Sequence, residues 1–321
     1  MYISIILPNY NHAPFLNERI DSILNQTFQD FELIILDDKS PDNSKEIIEQ
    51  YRGNKHISHI IYNEENSGST FYQWNKGIGL AKGEYIWITE SDDYADPRML
   101  QTLYDNITKE ENIVVSYCQS YNVNQHGEVN GDWSDHTKEL APELFARDFL
   151  MDGEKFIHNY LIYRNVIPNA SAVLFSREAF LRAGGAETNI GFAGDWFVWL
   201  KIVSLGKIAF TSQILNYYRR HDKSIVTKAL SENESRKNLF LKKHDLRMRL
   251  VYDKYQKKYK TDNVVRKLNR ENIVDDSFVE ARYLWVHGKR TNSLKYYLQA
   301  LRYSDNKLKT IKRAFGFFTK K

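Results

Sequence analysis

The chain has 321 residues, 42% hydrophobic and 14% aromatic, enough to bury a core and to exclude disorder as its default state. Its formal net charge of +4 hides an acidic body and a basic tail: residues 1–230 hold 21 Lys and Arg against 31 Asp and Glu, and residues 231–321 hold 24 against 10. One cysteine, Cys118, excludes an internal disulfide framework and a cysteine-built zinc cage and suits a reducing, cytoplasmic setting.

The opening "MYISIILPNYN" lacks a basic n-region and is broken by Pro8, so it reads as a strand and not as a signal peptide. No apolar run reaches the roughly 18 residues a membrane span needs. Strands are expected at "ISIILP" (3–8), "FELIILDD" (31–38), "ISHIIYN" (57–63), "EYIWIT" (84–89) and "NIVVSYC" (112–118), with helical spacing over 17–24, 43–52, 71–80 and 97–107. This βαβα rhythm predicts an α/β fold whose mainly parallel, Rossmann-like sheet carries helices on both faces. Ligands of such sheets bind beyond the carboxyl ends of the strands. Asp37 and Asp38 end the second strand, and Glu90, Asp92 and Asp93 follow the fourth, so both groups should open on one edge. Residues 119–168 are less regular, with "NQHGEVNGDW" a hairpin or loop. Next come a strand at 171–175, a helix at 176–184 closed by Gly184-Gly185, and a helix at 195–206 closed by Gly206. Strand-like "KIAFT" and "ILNYYRRH" end the body. From about 230 the pattern is helical; Leu294, Tyr297, Leu298 and Leu301 fall on one stripe.

The stretch "TESDD" crowds carboxylates at a strand end. Such a cluster requires a neutralising partner, raised pKa values or a bound cation. Helix capping is the alternative, since Asp96 before Pro97 reads as an N-cap. The loop "LPNYNHAPF" contains no glycine, which excludes a nicotinamide-type dinucleotide fingerprint and a P-loop, and Gly-x-Ser-x-Gly is absent. What remains is carboxylates at strand ends, a loop in which Pro8 and Tyr10 could meet a planar ring, and "YYRRH" (217–221). These parts suit an anionic ligand held through a divalent cation.

In order, "SIILPNYN", "ILNQTFQDFELIILDDKSPDNS", "NSGSTFYQWNKGIGLAKGEYIWITESDD", "GDWFVWLKI" and "YYRRH" resemble family 2 of the glycosyltransferases, inverting GT-A enzymes that use nucleotide sugars. The resemblance covers about residues 1–225. It implies a nucleotide-sugar subdomain (1–118), an acceptor subdomain carrying the catalytic base (119–229) and a basic helical C-terminal region (230–321). Pro8, Tyr10 and Asn11 would lie beside the base and ribose, and Asp38 would accept a hydrogen bond from the base, a uracil N–H favouring a UDP-sugar. "ESDD" is similar to the Asp-x-Asp signature, with Glu90 where aspartate is commoner; Asp92 and Asp93 would meet the ribose and a Mn²⁺ or Mg²⁺ on the diphosphate. Trp74 stands where many relatives have arginine, so Lys76 or the later Arg219 and Arg220 would substitute at the diphosphate, with a solvated strand edge the plain alternative for the two arginines. His221 is implied as a metal or diphosphate contact. Asp195 resembles the general base and also reads as a helix N-cap, with Gly194 where an acid is common. His12, His56 and His59 read as ordinary surface or core histidines.

A glycan or lipid-linked glycan acceptor, and a single addition, are the expectation, because Gln-x-x-Arg-Trp and membrane spans are absent. The basic tail, with Leu308, Ile311, Phe315 and Phe318 among lysines, suggests peripheral contact at the inner face of a membrane. No nucleic-acid module accompanies it, and packing onto the body is the plain alternative. Two rivals stand: a sugar nucleotidyltransferase, which requires a glycine-rich N-terminal loop, and a non-catalytic nucleotide-sugar or carbohydrate-binding protein, which would dispense with Asp195.

Overall fold

The computed structural model describes residues 2–191, 193–221, 234–259 and 261–318. Strands β1 (Ile3–Asn9) and β2 (Phe31–Asp37) are buried at every position, as their unbroken apolar runs require of central parallel strands. They pair in parallel with each other, β2 with β3 (Ile57–Tyr62) and β1 with β4 (Tyr85–Ile88). Helices α1 (Ala13–Leu24), α2 (Ser44–Gln50) and α3 (Thr70–Leu80) form the crossovers. In α1 the buried residues Leu16, Ile20 and Ile23 recur at helical spacing, and the sheet residues Ile5, Leu33 and Trp87 share their core.

Beyond β4 the sheet becomes mixed. The short β5 (Tyr94–Ala95), helix α4 (Met99–Ile107), the long β6 (Ile113–Val123) and β7 (Val129–Asp132) come next in the chain. One-turn helices α5 (Ser134–Thr137), α6 (Pro142–Phe145) and α7 (Gly153–Phe156), with β8 (Phe149–Asp152) among them, occupy the irregular stretch. Then follow β9 (Val173–Ser176), α8 (Arg177–Arg182), α9 (Gly194–Val203) and β10 (Lys207–Arg219). The order is β3-β2-β1-β4-β9-β6-β10-β5. Strand β9 lies antiparallel between β4 and β6, whereas β6 and β10 are parallel.

Two local expectations change and one is met. The helix expected from Pro97 begins at Met99 with Arg98 at the N-cap position, and Asp96 instead accepts from the Arg98 backbone N–H at 2.9 Å. The runs "KIAFT" and "ILNYYRRH" belong to one strand, β10, whose register shifts between Thr211 and Asn216; this bulge is why its pattern reads as two. The hairpin expected over "NQHGEVNGDW" forms, with Gly127 at φ 82 in its turn and β7 antiparallel to β6.

The chain divides into two compact units, residues 1–189 with 194–221, and residues 190–193 with 222–321. In the first, β6 runs without a break through residues 118 and 119, so the stretches expected as donor and acceptor subdomains share one sheet. The boundary expected at 229/230 lies outside the described residues. The second unit contains α10 (Glu234–Tyr259), α11 (Asn263–Val286), α12 (Arg290–Tyr303) and α13 (Lys307–Phe318). Within it, buried Arg249 donates Nε to Asp276 Oδ2 at 2.9 Å, and Phe278, Ala300 and Ala314 pack together with Tyr297. The expected stripe on α12 therefore splits: Tyr297 packs inward, while Leu294 and Leu298 are exposed. Among the described residues no helix is long and apolar enough to cross a membrane.

Candidate functional site

The carboxyl ends of β1, β2 and β4 bring the expected residues to one edge of the sheet, as the parallel register dictates. On the β2 side, Asp37 accepts from Asn9 Nδ2 at 2.7 Å and from the Ser40 hydroxyl at 2.6 Å. Pro8 is buried in β1, and Tyr10, 48% exposed, extends from the loop after it. Asn11 adopts φ 61, a left-handed conformation that Asn tolerates better than most residues. Its N–H meets Ser40 Oγ at 2.9 Å, and the Ala13 N–H meets Asp42 Oδ2 at 2.9 Å, so the loop holding residues 11–13 is tied on both sides.

Asp38 is buried and its carboxylate is heavily used. Asn63 Nδ2 (2.6 Å), Gln73 Nε2 (2.9 Å), the Ser67 hydroxyl (2.8 Å) and the Ser67 backbone N–H (3.0 and 3.1 Å) all donate to it. A carboxylate offers about four acceptor positions, so a base N–H can reach Asp38 only by displacing one of these donors. Lys76 is exposed and donates Nζ to Asn63 Oδ1 at 2.6 Å, which places its ammonium beside the same group.

The acids after β4 occupy different environments. Burial, then the charges of Asp92 and Asp93, push the Glu90 carboxyl up to about 8. Trp74 Nε1 donates to Glu90 Oε1 at 3.3 Å, so two of the three residues read as departures from the resembled family pattern contact each other. Burial alone would raise the Asp92 carboxyl, yet the bond from His221 and the charges of His12 and His221 hold it below the usual carboxylate range. Asp93, 1% exposed, is pushed up to about 7 by burial and the Asp92 charge. Its oxygens accept from Asn169 Nδ2 at 2.6 Å and from the Arg219 N–H at 2.9 Å.

Arginine 219, expected on the diphosphate, is 2% exposed and fully engaged. Nε donates to the Asp92 carbonyl at 2.8 Å, Nη1 to the Gln125 carbonyl at 3.1 Å and Nη2 to Glu18, and the guanidinium lies 4.9 Å from the Phe15 ring centre. It clamps the acidic turn to β10 and leaves no nitrogen for a ligand. Arg220 follows the end of β10; its guanidinium lies over Tyr218 at 5.6 Å, and its buried Nε has no partner among the described residues. Sequence reading also missed Arg19 on α1. It is fully buried, 5.2 Å from the Trp87 ring centre, and its three guanidinium nitrogens have no hydrogen-bond partner among the described residues. Burial lowers it to about 10 against the attraction of Asp93, Asp92 and Glu90, so it supplies positive charge beneath the acids.

Asp195 is the second residue of α9. Its Oδ1 accepts from the adjacent Trp196 N–H at 2.7 Å, within the first turn and not from an N-cap position, and Oδ2 accepts from Asn165 Nδ2 at 3.1 Å. Burial pushes the carboxyl up to about 6 against these two bonds, and its charge acts on Glu90. The glycine before it has a local cause: a Cβ on Gly194 would come within 2.3 Å of the Phe71 ring, so any side chain there would require that ring to move.

Among the described residues, a cation could be held at one place. The ligand atoms of His12, Asp92 and His221 all lie within 4.8 Å of one another, and His221 Nε2 is 3.1 Å from Asp92 Oδ2. Asp93, expected as a ligand, is not in this group, because its oxygens face Asn169 and Arg219. His12, read as an ordinary histidine, is in it, with its ring 5.3 Å from that of His221. His56 stacks on Phe31 at 4.4 Å and His59 bonds Ser58, in keeping with the plain reading of both.

The family model described as glycosyl transferase family 2 matches residues 4–180. The glycosyltransferase GlyG of Streptococcus pneumoniae serotype 4 is 38% identical over 120 residues, 37% of this chain and 40% of GlyG. The poly(ribitol-phosphate) beta-glucosyltransferase of Bacillus spizizenii is 31% identical over 195 residues, 57% of this chain and 30% of that enzyme. The chain thus spans less than half the length of these relatives. Residues 1–349 of S. aureus TarS, solved with UDP, superpose with a TM-score of 0.58 at 18% identity, covering 94% of this chain and 89% of the other. The likeness establishes the GT-A fold.

Proposed function

Because the chain belongs to glycosyl transferase family 2, we propose that it moves one sugar from a UDP-sugar to a hydroxyl of a cell-wall or cell-surface glycan, free or lipid-linked, with inversion. The observation that carries this reading is the placement of Asp195. It is a carboxylate held by Asn165 at 3.1 Å, poised at about 6, and close enough to the acids after β4 for its charge to act on Glu90. The acceptor hydroxyl attacks the anomeric carbon, the bond to the diphosphate oxygen breaks, UDP departs, and the hydroxyl proton passes to Asp195. A carboxylate near 6 is ionised at neutral pH yet basic enough to take that proton.

Pro8, Tyr10 and Asn11 would form the base and ribose wall, and the base N–H would replace the Asn63 donor at Asp38, freeing Asn63 and Lys76 to turn toward the nucleotide. Asp92 and His221 would hold a divalent cation, which supplies neutralising charge to the leaving diphosphate. Arg220, whose Nε has no partner among the described residues, would contact that diphosphate. UDP in the TarS complex and the poly(ribitol-phosphate) named for the Bacillus relative support the donor and acceptor classes. In α13, Leu308 is 74% exposed beside Lys307 and Lys309, which supports peripheral contact with an anionic membrane. The test is release of UDP from a panel of UDP-sugars with Mn²⁺, Mg²⁺ or EDTA. Metal-dependent release from at least one donor is expected; binding of UDP-sugars with no turnover toward water or glycan acceptors would identify a binder and overturn the reading.

A further inference from the structure

The metal-assisted reading above needs only Asp92 and His221. The geometry points further: we propose that His12 is a third ligand, giving a site of two imidazoles and one carboxylate that selects Mn²⁺ and later transition metals over Mg²⁺. The inference rests on that reading and adds a residue and a metal preference to it.

The spacing fits one ion. Two ligands about 2.1 Å from a metal and at right angles to each other lie about 3.0 Å apart, and Asp92 Oδ2 and His221 Nε2 are 3.1 Å apart. The ligand atom of His12 falls within 4.8 Å of both. Two ligands on opposite sides of such an ion are about 4.2 Å apart, so a ring displacement of no more than roughly half an ångström closes the set.

The ring is also held. His12 Nδ1 lies 2.8 Å from the Ser91 hydroxyl. With hydrogen on Nδ1 the ring donates to Ser91, and Nε2 carries the lone pair a metal requires; metal-ligating histidines are characteristically oriented through their second nitrogen. The neighbouring backbone is pinned on both sides, Asn11 N–H to Ser40 and Ala13 N–H to Asp42. The other acids do not compete: Asp93 is bonded by Asn169 and the Arg219 N–H, and Glu90 accepts from Trp74.

Ligand chemistry then sets the metal. Mg²⁺ takes oxygen ligands and retains several waters, whereas imidazole suits transition metals and binds them increasingly well along the series from Mn²⁺ to Cu²⁺. Three protein ligands leave about three positions of a six-coordinate ion for diphosphate oxygens and water.

The experiment is Mn²⁺ binding by EPR, with pulsed detection of imidazole nitrogen coupled to the ion, on the full chain with and without UDP. Wild type, His12→Asn, His221→Asn and Ser91→Ala are compared, with thermal melts as the folding control. Wild type should couple two imidazole nitrogens and His12→Asn one, with Mn²⁺ affinity falling about 100-fold and Mg²⁺ affinity little changed. Ser91→Ala should keep both couplings and lose about tenfold in affinity, as removal of an orienting partner does. One nitrogen in wild type, lost in His221→Asn and unaffected in His12→Asn with affinity within threefold, overturns the role of His12 and leaves the metal reading intact. No bound Mn²⁺ in wild type, even with UDP, overturns the metal reading and this inference together. If His12→Asn does not fold, unchanged Mn²⁺ affinity in Ser91→Ala decides against His12.

Discussion

Replacing Asp195 with Asn tests the assignment of the base with little disturbance to the site. The amide keeps the shape of the carboxyl and an oxygen that accepts from Trp196 or Asn165, which now bond Oδ1 and Oδ2. Only the capacity to take a proton is lost, and removal of a positioned general base costs about 10²–10⁴ in turnover. The Asp195 carboxyl stands at about 6 in the fold, so it is about nine-tenths ionised at pH 7 and about one-tenth at pH 5. Wild-type kcat/KM should therefore rise roughly tenfold from pH 5 to pH 7 and level off above it. In Asp195→Asn the residual rate should lack that limb, while UDP affinity measured by calorimetry stays within about threefold. Initial rates of UDP release across pH 5–8 supply the profile. A variant that retains more than about one-tenth of wild-type turnover, or an unchanged acid limb in the variant, would refute the assignment.

The two arginines of "YYRRH" should behave oppositely. Arg219→Met leaves Glu18 and the Asp92 and Gln125 carbonyls without their donor and should lower stability by about 1–3 kcal/mol, whereas Arg220→Met should leave the melting temperature within a degree or two and raise KM for the nucleotide sugar; equal melting temperatures would contradict the clamp. The Glu90 carboxyl is raised in the fold, so its stabilising contribution is complete below about 4.5 and is lost as pH rises through about 8. Metal-free Glu90→Gln should melt with wild type at pH 5 and several degrees above it at pH 8.5; a gap independent of pH would show that Glu90 is not the titrating group. Deleting residues 305–321 should abolish flotation with anionic liposomes and leave UDP affinity unchanged, and equal flotation of both chains would remove the membrane contact.

The sheet was legible because its central strands are buried on both faces and therefore read as unbroken apolar runs, each followed by a helical period. The edge carrying Asp38, Glu90, Asp92 and Asp93 was legible for the same reason, since parallel strands place their carboxyl ends together. The antiparallel insertion of β9 was not, because a four-residue strand announces no direction. Arg219 was misread since its partners lie far away in sequence, at Glu18, Asp92 and Gln125; a charged residue at a strand end gives no sign of whether it is spent on the fold. His12 and Arg19 were passed over for a related reason. Each sits in an ordinary helical or loop pattern, and only the crossing of α1 over the acidic turn shows what faces it. The Trp74–Glu90 contact joins two departures from the family pattern that the sequence presented as separate.

The most direct measurement is the configuration of the sugar at the moment of release. Donor hydrolysis followed by time-resolved proton NMR needs no knowledge of the acceptor, because water takes the acceptor's place. Starting from a UDP-α-sugar, single displacement with Asp195 as base predicts that the β-anomer appears first and mutarotates afterwards. Initial release of the α-anomer would contradict the account at its centre.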